Sequence, residues 1–110
     1  MPMLNESTTA VLIRGETVSN NFSTEPYEVG WAKEAIFFLY NLEKNIKGKF
    51  FVQISPDGFN WATDENHILI PKANYVSFIK INHFGNWLKF VSSINGNAET
   101  KITATLHLKQ

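Results

Sequence analysis

Lys101-Ile102-Thr103-Ala104-Thr105-Leu106-His107-Leu108-Lys109 alternates, residue by residue, between apolar and polar side chains. Successive side chains of an extended chain point to opposite sides, so a period of two held this long is the pattern of a strand with one buried and one wet face. Ile102, Ala104, Leu106 and Leu108 form the buried side, and Thr103, Thr105 and His107 the solvated one. Just before it lies Ile94-Asn95-Gly96-Asn97, and Asn-Gly readily takes the positive backbone angles of a tight hairpin turn. Across that turn, Trp87 to Ser92 sets Leu88 and Phe90 against Trp87, Lys89 and Val91. The expectation is a C-terminal hairpin made of these two strands.

Working back through the chain, a second hairpin-like unit is expected. Lys49 to Ser55 places Phe50, Val52 and Ile54 on one side and Phe51 and Gln53 on the other. It follows the turn-like Asn45-Ile46-Lys47-Gly48 and, before that, Glu34 to Leu42. That run reads either as a strand or as a short buried helix, and its aromatic residues and flanking turn favour the strand. His67 to Ile70 is a short run stopped by Pro71, Tyr75 to Asn82 follows, and Phe84-Gly85-Asn86 turns the chain into Trp87. Near the start, Thr8 to Ile13 reads as a first strand ended by Arg14-Gly15, and Val18 to Phe22 as a weaker edge strand. Seven to eight short strands separated by turn residues, with no helix, specify an all-β antiparallel β-sandwich of jelly-roll-like kind. The reading is a flexible arm over residues 1–7 and a single sandwich domain over 8–110.

The 110 residues suffice for one core and no more. Lys+Arg and Asp+Glu are 10 each, so no broad cationic surface is available to neutralise phosphates, and nucleic acid is not expected as a ligand. The absence of cysteine removes disulfide scaffolds, thiolate metal sites and cysteine nucleophiles together. The opening residues hold no basic region leading into an apolar run, so no targeting signal is read there. Ala35 to Leu42 is too short to cross a bilayer, which takes about 20 residues as a helix.

Catalytic patterns are equally sparse. His67, His83 and His107 never fall at short ligand spacings. A metal site would require them to converge in space with Asp57, Asp64 or Glu65, and no catalytic, cofactor-binding or metal residue is assigned. The three acids lack the fixed oxygen pattern of a calcium loop and read as solvated loop residues. No Gly-rich phosphate cradle or nucleophile elbow appears. Two glycosylation-type triplets, Asn5-Glu6-Ser7 and Asn21-Phe22-Ser23, are of a kind that arises by chance. Aromatic residues are 14% of the chain, and most are expected to fill the space between two sheets. Among Trp31, Trp61 and Trp87, the last is out of phase with Leu88 and Phe90 and is the candidate for exposure, as a sugar platform or a protein contact.

Val52-Gln53-Ile54-Ser55-Pro56-Asp57-Gly58-Phe59-Asn60-Trp61 carries the strongest local pattern. Proline fixes one turn angle, Asp caps the turn with its side chain, and Gly permits a left-handed backbone. Trp61 is expected to fold back over the end of the sandwich. This strand, Ser-x-Asp-Gly-x-x-Trp, strand device resembles one found in discoidin-like and galactose-binding-like modules. Together with a preceding Gly-x-Phe-x-Val strand, the later Gly85-Asn86-Trp87-Leu88-Lys89-Phe90-Val91 and a Thr-rich closing strand, it also resembles small β-sandwich proteins among the structural genes of tailed bacteriophages. That resemblance spans roughly residues 30–110 and includes no catalytic residues. It implies a non-enzymatic virion structural protein, a capsid decoration (cement) or head–tail accessory subunit, located in virions assembled in the host cytoplasm. Its partners would be capsid or tail subunits and further copies of itself, with no membrane and no cofactor. Contact residues would be Met1 to Ser7, Trp87 and the Thr103, Thr105 and His107 face. The alternative is a carbohydrate-binding β-sandwich module with a sugar ligand.

Overall fold

The computed structural model describes residues 7–43, 47–82, 84–94, 96 and 98–110, with Glu65 described by its backbone alone. Eight strands follow in order: β1 (Ser7–Val18), β2 (Tyr27–Glu28), β3 (Glu34–Asn41), β4 (Gly48–Ser55), β5 (Ala62–Leu69), β6 (Val76–Ile81), β7 (Trp87–Ile94) and β8 (Thr100–Lys109). They form two antiparallel four-stranded sheets, ordered β1-β8-β3-β6 and β2-β7-β4-β5. There is no helix among the described residues, and Glu34–Asn41 is a strand.

The pairing has a simple rule. β4 pairs with β5, β3 with β6, β2 with β7 and β1 with β8. The chain is therefore one long hairpin, with its tip at residues 56–61, rolled so that successive pairs alternate between two sheets. Pairing of β3 with β8 and of β4 with β7 joins these pairs into the two sheets. This is a jelly roll, the double-sheet solution for an eight-stranded chain.

The rolled topology corrects both expected hairpins. β7 and β8 lie in different sheets, as do β3 and β4, so the segments between them cross the sandwich instead of reversing within a sheet. Gly96 does adopt a left-handed φ of 64°, but the turn it serves is a crossover. Sequence-adjacent strands pair only across residues 56–61. The expected edge strand over Val18 to Phe22 is also corrected: Val18 ends β1, Asn21 takes a φ of 61°, and the chain passes to the other sheet. There it satisfies the edge of β7 mostly outside a regular ladder. Ser92 N donates to Phe22 O, Ile94 N to Asn20 Oδ1 and Phe90 N to Thr24 Oγ1. Ser7, assigned to the arm from sequence, is the first residue of β1 and opposes Lys109. The rest of that arm lies outside the described residues.

Alternation within each strand builds the core. Phe37, Leu39, Ile102, Ala104, Leu106 and Leu108 from one sheet meet Phe50, Val52, Leu88 and Phe90 from the other, all essentially solvent-free. Phe37 stacks on Phe90 across the two sheets at 4.8 Å between centroids and 8° between planes, and Phe50 adds a second stacked contact to Phe90 at 5.4 Å. Buried polar residues among the described ones include a side-chain pair, Thr100 Oγ1 donating to Asn41 Oδ1 at 2.7 Å where two crossovers meet. Fully buried amides and hydroxyls are tolerated when bonded in this way.

Candidate interaction surface

The Ser55 to Trp61 turn is a rigid cap. Ser55 Oγ accepts from the backbone N–H of Asp57 and Gly58 and donates to Asp57 Oδ1. Asp57 Oδ1 in turn accepts from the N–H of Phe59 and Asn60, both at 2.8 Å, and Oδ2 accepts from the Asn60 amide at 2.7 Å. The Asn60 and Phe59 N–H groups, then the Asn60 amide, favour the ionised form and hold the Asp57 carboxyl far below the usual carboxylate range. Gly58, at a φ of 82°, lies flat on Trp87: a Cβ there would stand 3.2–3.4 Å from the indole. Asn86 ties the neighbouring loop down through N–H to Ser55 O and amide to Pro56 O.

This geometry relocates the sequence candidates. Trp87 does point outward from the sheet, but it is half-buried, with one face covered by the turn. Trp61, at the end of the turn, is half-buried, and Lys89 Nζ from β7 sits 4.4 Å from its ring centroid. Trp31 is half-buried against the core. Asp57 is spent on its own turn. Asp64 and His67 flank a bulge in which Phe51 opposes Ile68 while Val52 opposes Asp64. Their side chains meet at 2.6 Å, His67 Nδ1 being the donor because a carboxylate can only accept. His107 is held elsewhere, between the hydroxyls of Thr9 and Thr105 at 3.1 Å each. No group of three metal-ligating side chains occurs among the described residues, which do not include His83.

The feature that sequence reasoning missed is the outer face of the β1-β8-β3-β6 sheet. Strand register aligns Val11, Thr105, Phe38 and Phe78 in one transverse row across all four strands. A second row reads Thr9, His107, Ile36 and Lys80, and a third reads Thr103, Tyr40 and Val76. Lys80 is the one charged residue in these rows. Phe38 sits between Phe78, at 6.0 Å, and the edge-on His107 ring, at 5.0 Å. The hydroxyls are engaged within the face, Thr103 Oγ1 accepting from Gly15 N–H at 2.9 Å. Charges sit at its two ends, with Glu34 and Lys109 at one and Lys101 at the other. An apolar centre within a charged rim is the anatomy of a contact surface. The Thr103, Thr105 and His107 side of the closing strand was legible as wet; the aromatic residues that flank it come from β3 and β6, far away in sequence.

No family model matches the chain, and no curated protein does. Solved structures share its architecture. The PBSX exported protein XepA superposes with a TM-score of 0.60 at 16% identity, over 96% of this chain and 36% of that one. The SPBc2 prophage-derived protein YomS gives 0.64 at 10% identity, over 100% of this chain and 98% of that one. A chain in the structure of infectious bursal disease virus, Gx strain, gives 0.50 at 10% identity, over 96% and 32%. The protein thus spans about a third of two of these neighbours and nearly the whole of YomS. At such identities the shared property is the fold. It is a fold that phage-derived and viral proteins use, and the discoidin-type resemblance is not carried by these three.

Proposed function

We propose that this protein is a non-enzymatic structural subunit of a virion, of the capsid decoration or head–tail accessory kind, and that it works by surface contact. The observation that carries the reading is the ring-bearing outer face of the β1-β8-β3-β6 sheet, whose rows hold Lys80 as their one charge. Fold neighbours of phage and viral origin support it. Docking that face on a capsid or tail subunit removes apolar area from water, at about 25 cal/mol per Å². Repetition over many lattice sites then turns a modest single contact into firm attachment. Partners are virion proteins, and neither nucleic acid nor membrane is needed.

Purified particles produced by the genome that encodes the chain provide the test. The protein is expected to travel with them through a density gradient, and the paired changes Val11→Lys and Thr105→Lys to release it. Absence from the particles, or undiminished retention of the variant, overturns the proposal. So does ring-dependent sugar binding on a glycan array, which the alternative carbohydrate-binding module requires. One face of Trp87 and one of Trp61 are already covered by Gly58 and Lys89, which disfavours that outcome.

A further inference from the structure

Sheets that do not close leave edges, and folded proteins ordinarily disarm them with bulges, short strands or charge. Four edge strands are present here: β1 and β6 in one sheet, β2 and β5 in the other. β1 carries two register shifts, between Val11 and Ile13 and between Ile13 and Glu16. β2 is two residues long, and the chain before it supplies bonds to β7. β5 is broken by the Asp64 to His67 bulge. β6 has neither bulge nor break: its register with β3 is continuous from Val76 to Ile81, and Lys80 is its one charge.

Five of the eight large apolar residues that are exposed among the described ones come from β5, β6 or the segment between them. Of these, Tyr75, Val76 and Phe78 lie on or beside β6 and are 55–65% exposed, while Ile68 faces outward from the opposite sheet. Taking a large side chain at about 150–250 Å², these three leave roughly 300 Å² of apolar surface bare. A standard interface covers about 800 Å² on each partner, so this patch supplies only part of one and the unpaired backbone edge of β6 has to supply the rest.

We infer that β6 pairs antiparallel with β6 of a second copy of this chain, joining two four-stranded sheets into one of eight strands. The occupant follows from self-complementarity. A two-fold axis normal to the sheet keeps outer residues opposite outer residues, so pairing over most of β6 puts the axis at Phe78 or at Ile79. An axis at Ile79 sets Lys80 against the Phe78 ring. With the axis at Phe78, the two Phe78 rings face each other, and each Lys80 lays its stem along the partner's Val76. No like charges are opposed, and the contact is isologous, as closed dimers require. The docking face proposed above would then be presented twice on one continuous surface, but the pairing does not depend on that role.

A cysteine-free chain permits a direct test. Opposed residues in an antiparallel pair lie about 4.5–5.5 Å apart at Cα, within disulfide reach. Phe78→Cys is therefore expected to yield a covalent dimer on mild oxidation, while Val11→Cys, also exposed and on the β1 edge, stays monomeric. Sedimentation of the unmodified protein should show a dimer that Val76→Lys/Phe78→Lys converts to monomer with its circular dichroism spectrum intact. Equal cross-linking of the two cysteine variants, or a monomeric unmodified protein at hundreds of micromolar, overturns the inference. Retention on virions by a strictly monomeric protein would overturn it and leave the proposed function standing.

Discussion

Phe90 is the residue through which the two sheets hold each other, and truncating it is the sharpest test of the packing. Its ring is 1% exposed and stacks on Phe37 of the opposite sheet and on Phe50 of its own. Phe90→Ala removes the buried ring and leaves a cavity between two sheets pinned by their ladders, a change that costs about 3–5 kcal/mol. Each stacked pair adds about 0.5–1.5 kcal/mol beyond area. A loss of about 4 kcal/mol is a large part of the 5–15 kcal/mol typical of a domain. With an unfolding entropy of about 2.1 cal/mol/K per residue, it lowers the midpoint by roughly 15–20 °C. Urea titration followed by tryptophan fluorescence measures it. Combining Phe37→Ala and Phe90→Ala should give a combined loss smaller than the sum of the two single losses by about 1 kcal/mol, because the stacking is lost only once. A cost for Phe90→Ala below about 1.5 kcal/mol, or strict additivity, would refute the claim that this stack joins the layers.

Three further outcomes are expected. Gly58→Ala forces a side chain into a left-handed backbone and against the Trp87 indole, so urea titration should show a loss of at least about 1–2 kcal/mol, with altered Trp87 emission. Thr100→Val takes one donor from the buried Asn41 Oδ1, which keeps the Glu43 N–H, and chemical denaturation should register about 0.5–1.5 kcal/mol. Because the Asp57 carboxyl titrates lower folded than unfolded, its contribution is full above the unfolded value near 3.9 and declines as pH falls towards the folded one. The stability gap between the native protein and Asp57→Asn, measured by denaturation across pH 2–7, should therefore narrow on the acid side.

The sequence resolved strands better than their partners, and the reason is physical. Period-two alternation is local, so Lys49 to Ser55 and Lys101 to Lys109 could be phased correctly residue by residue, and both appear as read. Pairing is not local. A hairpin reading joins each strand to its neighbour in the chain, whereas the jelly roll joins β1 to β8 across the whole sequence. Loop length held the missing signal. A two-residue Asn-Gly turn would return directly from Ile94, yet five residues, 95–99, separate β7 from β8, enough to cross the core. Bulges hid more. The detour at Asp64 to His67 broke the alternation of β5, so only its last residues looked extended, and β2 is too short to leave any pattern.

The interaction surface was hidden for a related reason. Ile36, Phe38 and Tyr40 sit between the buried Ala35, Phe37 and Leu39, so β3 is apolar on both sides and no sequence rule tells its inner face from its outer one. The distinction appears only when register places Phe38 between Thr105 and Phe78. A central strand made apolar on its solvent side gains nothing for the core, since rings on that side never enter it. Thr, Ser or Lys at those positions would keep the same ladder and improve solubility. Phe38 and Phe78 are thus in excess of what the fold requires. Phe78→Lys should accordingly leave folding stability nearly unchanged while weakening attachment to particles. A large loss of stability with attachment intact would instead make the outer rings structural and remove the argument for a docking face.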